Sequence, residues 1–184
     1  STTVGEVSCS LFFIRDGFLG LEVQTGRQLF FERFRSPINA SVNAATPLLI
    51  GDSVFVSSCY DVGGAVWKLK PDGKGGVFTQ TIWKKVGMLD GHYSTAVHHD
   101  GHLYGFHGRQ ERGPELRCVS LADGSVKWTS GRMASGNLLL ADGKLIVLTE
   151  AGELLLATAV SKEYKVLHRQ QILGFETRAH FAIS

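Results

Sequence analysis

The sequence predicts an all-β fold built from repeated four-stranded antiparallel sheets, and three observations lead there. Twenty-two Gly against four Pro, with eleven Phe in 184 residues and many Val, Ile and Leu, describe short strands joined by tight turns. No window sustains apolar spacing at i, i+3, i+4 and i+7 between capping signals. Instead, D-G pairs suited to hairpins recur at Asp16-Gly17, Asp72-Gly73, Asp100-Gly101, Asp123-Gly124 and Asp142-Gly143. The third observation is that the chain repeats itself.

The first copy, within residues 7–34, runs L-F-F-I-R-D-G-F-L-G-L-E-V and shows only three strands, so it is expected to lack an inner strand. The second, residues 46–85, opens on T-P-L-L-I-G-D-S-V-F-V. The third, residues 95–130, opens on T-A-V-H-H-D-G-H-L-Y-G. The fourth, residues 136–171, opens on G-N-L-L-L-A-D-G-K-L-I-V. Each full copy reads strand, G-D or D-G turn, strand, variable loop, strand, turn, strand. Four strands in about 40–50 residues match a β-propeller blade, which must stack on neighbours to bury both faces. An extra inner strand over residues 178–184 would complement the incomplete first copy by strand exchange, hiding unpaired edges. Small or apolar residues at Thr46–Ile50, Thr95–His99 and Gly136–Ala141 suit inner strands. Trp83, Trp128 and the Phe30-Phe31 pair stand near the ends of outer strands, where a large ring packs between blades.

Composition removes several function classes. With 43% hydrophobic and 20% charged residues the chain can build a core and is not a disordered segment. Its net charge is +2 with scattered basic residues, so no nucleic-acid stripe and no membrane patch is expected. No apolar run reaches the roughly 18 residues of a spanning helix, and the first residues lack the basic-then-apolar pattern of a signal peptide. Cys9, Cys59 and Cys118 are far apart, with no C-x-x-C, so they indicate neither a zinc ribbon nor a dense disulfide framework.

The strings Leu21–Phe30 (L-E-V-Q-T-G-R-Q-L-F) and Cys118–Trp128 (C-V-S-L-A-D-G-S-V-K-W) resemble the repeat of quinoprotein-type propellers, the pyrrolo-quinoline-quinone (PQQ)-like family. S-V-N-A-A-T-P, H-Y-S-T-A-V-H-H-D-G-H-L-Y-G-F-H-G-R-Q-E and L-I-V-L-T-E-A-G-E-L-L-L-A resemble bacterial members of unassigned activity. The resemblance implies an eight-bladed ring, of which this chain supplies part or half, and a periplasmic or extracellular location. Three readings stay open: half a ring completed by a second chain, a closed four-bladed ring, or a piece of a longer polypeptide, which the ending A-H-F-A-I-S favours. The family's dehydrogenases use a vicinal Cys-Cys disulfide, an Asp base and Glu and Asn ligands to calcium. The cysteines here are not adjacent, so no cofactor is expected, with PQQ and calcium as the alternative.

Residues 92–112 hold the densest polar segment, with His92, His98, His99, His102 and His107. Strand alternation sends His98 and His99 to opposite faces, so no metal site is expected. Aligning the repeats places Asn43, His92, Met133 and Phe175 just before inner strands, on exposed loops at the mouth of the funnel, where ligands of propellers commonly bind. Asn43, His92, Tyr93 and Met133 are the candidate binding residues, with Arg109 in a charged loop beside Glu111 and Arg112. They supply hydrogen bonds and aromatic faces but no nucleophile paired with a base. The expectation is a non-catalytic scaffold for a protein partner or small ligand, able to complete its ring as a homodimer. The alternative is part of a PQQ-dependent dehydrogenase.

Overall fold

The structure, a computed structural model, describes residues 1–183. Its strands form four antiparallel four-stranded sheets, each a meander whose strands neighbour one another in chain order. The first holds β1 (Thr2–Val4), β2 (Val7–Ile14), β3 (Gly17–Glu22) and β4 (Gln28–Arg33). The second holds β5 (Leu48–Ile50), β6 (Ser53–Ser58), β7 (Gly63–Pro71) and β8 (Val77–Lys85). The third holds β9 (Val97–His99), β10 (His102–His107), β11 (Glu115–Ser120) and β12 (Val126–Arg132). The fourth holds β13 (Gly136–Ala141), β14 (Lys144–Thr149), β15 (Glu153–Thr158) and β16 (Val166–Gln171). A 3-10 turn, Gln110–Arg112, is the one helical piece among the described residues. No helix there is long and apolar enough to cross a membrane. The fold is an all-β propeller of four-stranded blades, as the repeat predicts.

Two expectations about the chain ends change. The first sheet has its own inner strand, because Thr2–Val4 pairs with β2 through Thr2↔Cys9, Thr3↔Ser8 and Val4↔Val7. Three residues are too few to show alternation, and Gly5-Glu6 is not a usual hairpin dipeptide, which hides this strand in the sequence. Residues 178–183 form no strand. The chain at residues 177–178 folds over the end of the fourth sheet instead, where Thr177 donates its amide to the Glu150 carbonyl and Asn137 donates its side-chain amide to the Arg178 carbonyl. Strand exchange is not needed, since the first sheet completes itself. Ser184, the last residue of the expected 178–184 strand, lies outside the described residues.

Register explains the stacking. Residues directly opposite one another form a row across each sheet: Leu11–Gly20–Phe30, Leu48–Phe55–Val66–Trp83, Val97–Tyr104–Cys118–Trp128 and Leu139–Ile146–Leu156–His168. In every outer strand the residue before the end of the row, Leu29, Ile82, Lys127 or Leu167, is skipped by the ladder as a bulge. These rows define a forward face in each sheet. In the first three sheets it packs on the rear face of the next sheet, giving three buried clusters.

Within the first cluster, Trp67 is 1% exposed, stacks on Phe18 at 5.6 Å and meets Phe34 edge-on at 5.7 Å. Gly20 belongs to the same close packing, because a Cβ there would stand 2.2 Å from the Phe30 ring. Trp83 and Trp128 each donate their indole N–H, at 2.7 Å, to a carbonyl beyond the third strand of the next sheet, Leu121 and Val160. Among the described residues no buried cluster joins the fourth sheet to the first. The rear face of the first sheet therefore shows Phe12 and Phe31, 44% and 40% exposed, on either side of Leu19.

Replacing Trp67 by Ala should cost about 3–5 kcal/mol, as for other fully buried large rings. Urea unfolding checks this, and a loss below about 1 kcal/mol would show that the first two sheets do not share this core.

Candidate functional site

Four-stranded meanders force the chain to pass from sheet to sheet at one end of the stack. The connectors 34–47, 86–96 and 133–135 lie at this end, together with the loops 59–62, 108–114 and 150–152. At the second and third sheets these segments form a polar cluster. Tyr60 and Asp61, in the loop between β6 and β7, have φ of 66° and 62°. Two successive residues with left-handed φ suit a type I′ hairpin, but Asn-Gly adopts it far more cheaply than Tyr-Asp. The geometry turns the Tyr60 hydroxyl to His92 Nε2, 2.8 Å away. Tyr93 stacks on the same imidazole at 3.9 Å, and the Arg109 guanidinium lies over the Tyr60 ring at 5.0 Å.

His92 is 6% exposed, so the sequence-based placement on an exposed loop does not hold for it. Its bridge to Tyr60 and the stacked Tyr93 ring cover it. Burial holds its pKa below the ordinary value, and its Nδ1 has no hydrogen-bond partner among the described residues. Asn43 donates its amide to the carbonyls of Ile14, Arg15 and Phe34, clamping the first connector to the first sheet. Met133 packs against the cluster between the third and fourth sheets, and its sulfur accepts the Ser130 hydroxyl. Tyr93 also reaches a small recess beside Ser135, Glu150 and Arg178. The structure thus brings His92, Tyr93 and Arg109 together around Tyr60, while Asn43 and Met133 make contacts that fix their own segments. Phe175, their counterpart after the fourth sheet, is 80% exposed.

Beside this cluster a cleft of about 370 Å³ opens between the second and third sheets. The second sheet lines it with Cys59, Tyr60 and Asp61, the third with Arg109, Arg112, Arg117 and Arg132, and the connector with Asp90. Asp90 ties the two walls. Its carboxylate accepts the Gly87 amide, its carbonyl accepts the Cys59 thiol, and its amide donates to His107 Nδ1 at 3.0 Å. Arg117 donates to the carbonyls of Gly87 and Met88 and pairs with Glu115, whose carboxylate also accepts the Thr129 hydroxyl. These donors hold Glu115 below the usual carboxylate range.

Tyr60, Asp61, Asp90 and Arg132 escape sequence reasoning. The Tyr-Asp turn lacks glycine, and the arginines stand apart in sequence. Of the four arginines only Arg109 and Arg112 are visible beforehand, as part of a charged loop.

Burial pushes the Cys59 thiol up to about 12 and the Cys118 thiol up to about 11, so both stay protonated. No Ser, Thr or Cys side chain is hydrogen-bonded to an imidazole among the described residues. No group of three or more His, Cys, Asp and Glu converges as metal ligands there either. The three cysteines are free, buried and in different sheets. They form no vicinal disulfide.

No protein-family model and no curated protein sequence matches the chain. Among solved structures, it is similar to the crystal structure of BamB from Moraxella catarrhalis, with a TM-score of 0.59 and 16% identity over 92% of this chain. The match covers 51% of that chain, so the present chain spans about half its length. At this identity the likeness shows the fold.

His107 generates a pH dependence. Burial lowers its pKa from 6.5 to about 4, and protonating Nδ1 would break the bond from the Asp90 amide. The unfolded chain therefore takes up this proton first. The stabilisation is full above pH 6.5 and is lost as pH falls from 6.5 through 4. His92 acts in the same sense, whereas Asp90, raised by burial, acts oppositely on acidification. Between pH 7 and 5 the wild type should lose about 1.5–2 kcal/mol more than His107→Asn in urea titrations. Equal losses in the two proteins would show that His107 is not held neutral by the fold.

Proposed function

We propose that the chain is a non-catalytic propeller scaffold that binds a protein partner through the connector end of its sheets. The observation that supports this most is the cleft between the second and third sheets, where Tyr60, Asp61 and four arginines gather with no nucleophile and base in contact. Propeller ends present loops from several blades side by side, so distant segments form one surface. A photo-crosslinking residue at Ile38 or Val42, 47% and 44% exposed at this end, should give adducts with a defined partner in the cells of origin. The same group at Lys74 or Asp142, in turns at the opposite end, should give none. Equal adducts from both ends, or none from either, would count against the scaffold reading.

We further infer that a second copy completes the ring. Inside the stack a forward face meets a rear face three times, and the two faces left over are one of each kind. A copy related by a twofold axis would cover both at once, as a self-complementary pair of contacts. Light scattering should give twice the chain's mass, and Phe31→Asp or Leu156→Asp should halve it. A wild-type monomer that persists on concentration would rule out the second copy.

A further inference from the structure

We propose that the cleft between the second and third sheets binds a carboxylate of an acidic peptide segment, held between Arg112 and Arg132. This rests on the scaffold reading for the source of the carboxylate, but the site is argued from its own geometry. Two of its four arginines are already committed. Arg117 pairs with Glu115 at 3.1 Å, and Arg109 pairs with Glu111 at 3.2 Å. Arg112 and Arg132 make no hydrogen bond or ion pair through their side chains among the described residues. Arg132 lies directly across the ladder from Glu115, yet that carboxylate is occupied by Arg117 and Thr129.

The backbone keeps these two guanidinium groups beside one opening. Arg112 ends the 3-10 turn, and Gly113 follows with φ of 69°, where the chain reverses. The Arg132 stem lies against that glycine, with Cδ 3.5 Å from where a Cβ would stand. A larger residue at 113 would be strained by its φ. Two planar cations on one wall suit a carboxylate, which can accept parallel N–H bonds from a guanidinium.

The facing wall argues for a peptide over a small diacid. Asp61 lies there in a left-handed conformation and makes no ion pair among the described residues. It would repel the second carboxylate of a short diacid spanning the cleft, but it can accept a peptide N–H. Tyr60 beside it offers an aromatic face to the chain of an acidic residue. The ligand class is therefore a segment with an acidic side chain and free backbone amides.

Fluorescence anisotropy with a labelled pentaglutamate peptide tests this on the intact chain, with pentaglutamine as the neutral peptide and glutarate as competitor. Pentaglutamate should bind, more weakly as salt rises, and pentaglutamine should not. Arg112→Gln and Arg132→Gln should each weaken binding about tenfold while leaving urea unfolding unchanged, and Arg169→Gln on β16 should leave binding unchanged. Binding that ignores Arg112→Gln and Arg132→Gln, or that pentaglutamine matches, overturns the proposal. Glutarate that binds as tightly as the peptide overturns the peptide assignment, leaving a site for small carboxylates. If no probe binds while crosslinks at Ile38 and Val42 persist, the cleft assignment fails and the scaffold reading stands.

Discussion

A sheet of four strands with apolar residues on both faces cannot be satisfied alone, and every level of this protein follows from that constraint. Each blade must lend its forward face to the rear face of the next. The contact is repeated with different side chains: Phe18 and Phe30 against Trp67, Phe55 and Trp83 against Leu103 and Val119, Tyr104 and Trp128 against Leu145 and Leu155. Because the faces mate in a fixed order, the stack has a direction. Its two ends are therefore unlike.

The bulge in each outer strand gives that contact its angle. Skipping one residue bends the strand and increases its twist, so the ring at the end of the row swings toward the neighbouring sheet. In the second and third sheets this ring is Trp, and its N–H ties the sheet to a turn of the next one. In the first sheet the position is Phe30, which has no N–H, and the tie is made nearby by Arg27, donating to the Gly75 carbonyl at 2.8 Å. In the fourth sheet it is His168, exposed on a face with no following sheet among the described residues.

This repeat was legible because it is written in local chemistry. Asp100-Gly101 and Asp142-Gly143 have positive φ at both residues, as a type I′ hairpin requires, and the alternating runs around them give the strands directly. The inner strand Thr2–Val4 was not legible, since its pairing depends on β2 more than on its own three residues. The site was legible only in part. His92, Tyr93 and Arg109 lie in one polar stretch, but Tyr60 and Asp61 come from another blade, and nothing in C-Y-D-V announces a left-handed turn. Nor does a strand pattern reveal that Arg117 takes Glu115 and leaves Arg132 without it. Such partner choices are set by side-chain geometry across sheets.

That division has a physical origin. Strand interiors are bound by face-to-face packing, so they tolerate little beyond apolar residues of suitable size. The connector end carries no such burden, and its loops differ in length from blade to blade. There the chain can hold a bulky Tyr at positive φ, which costs on the order of 1–2 kcal/mol, because the His92 bond and the Arg109 contact fix the ring. It can also leave cations without internal partners, because water solvates them until a ligand arrives. Asp90 and Arg117 join the two regimes, since the Asp90 carbonyl accepts both the Cys59 thiol and the Gly108 amide, and Arg117 donates to the Gly87 carbonyl of the connector. Stacking is thus what assembles the cleft, and the arginines on its rim gain a common target only once the second and third sheets share their core.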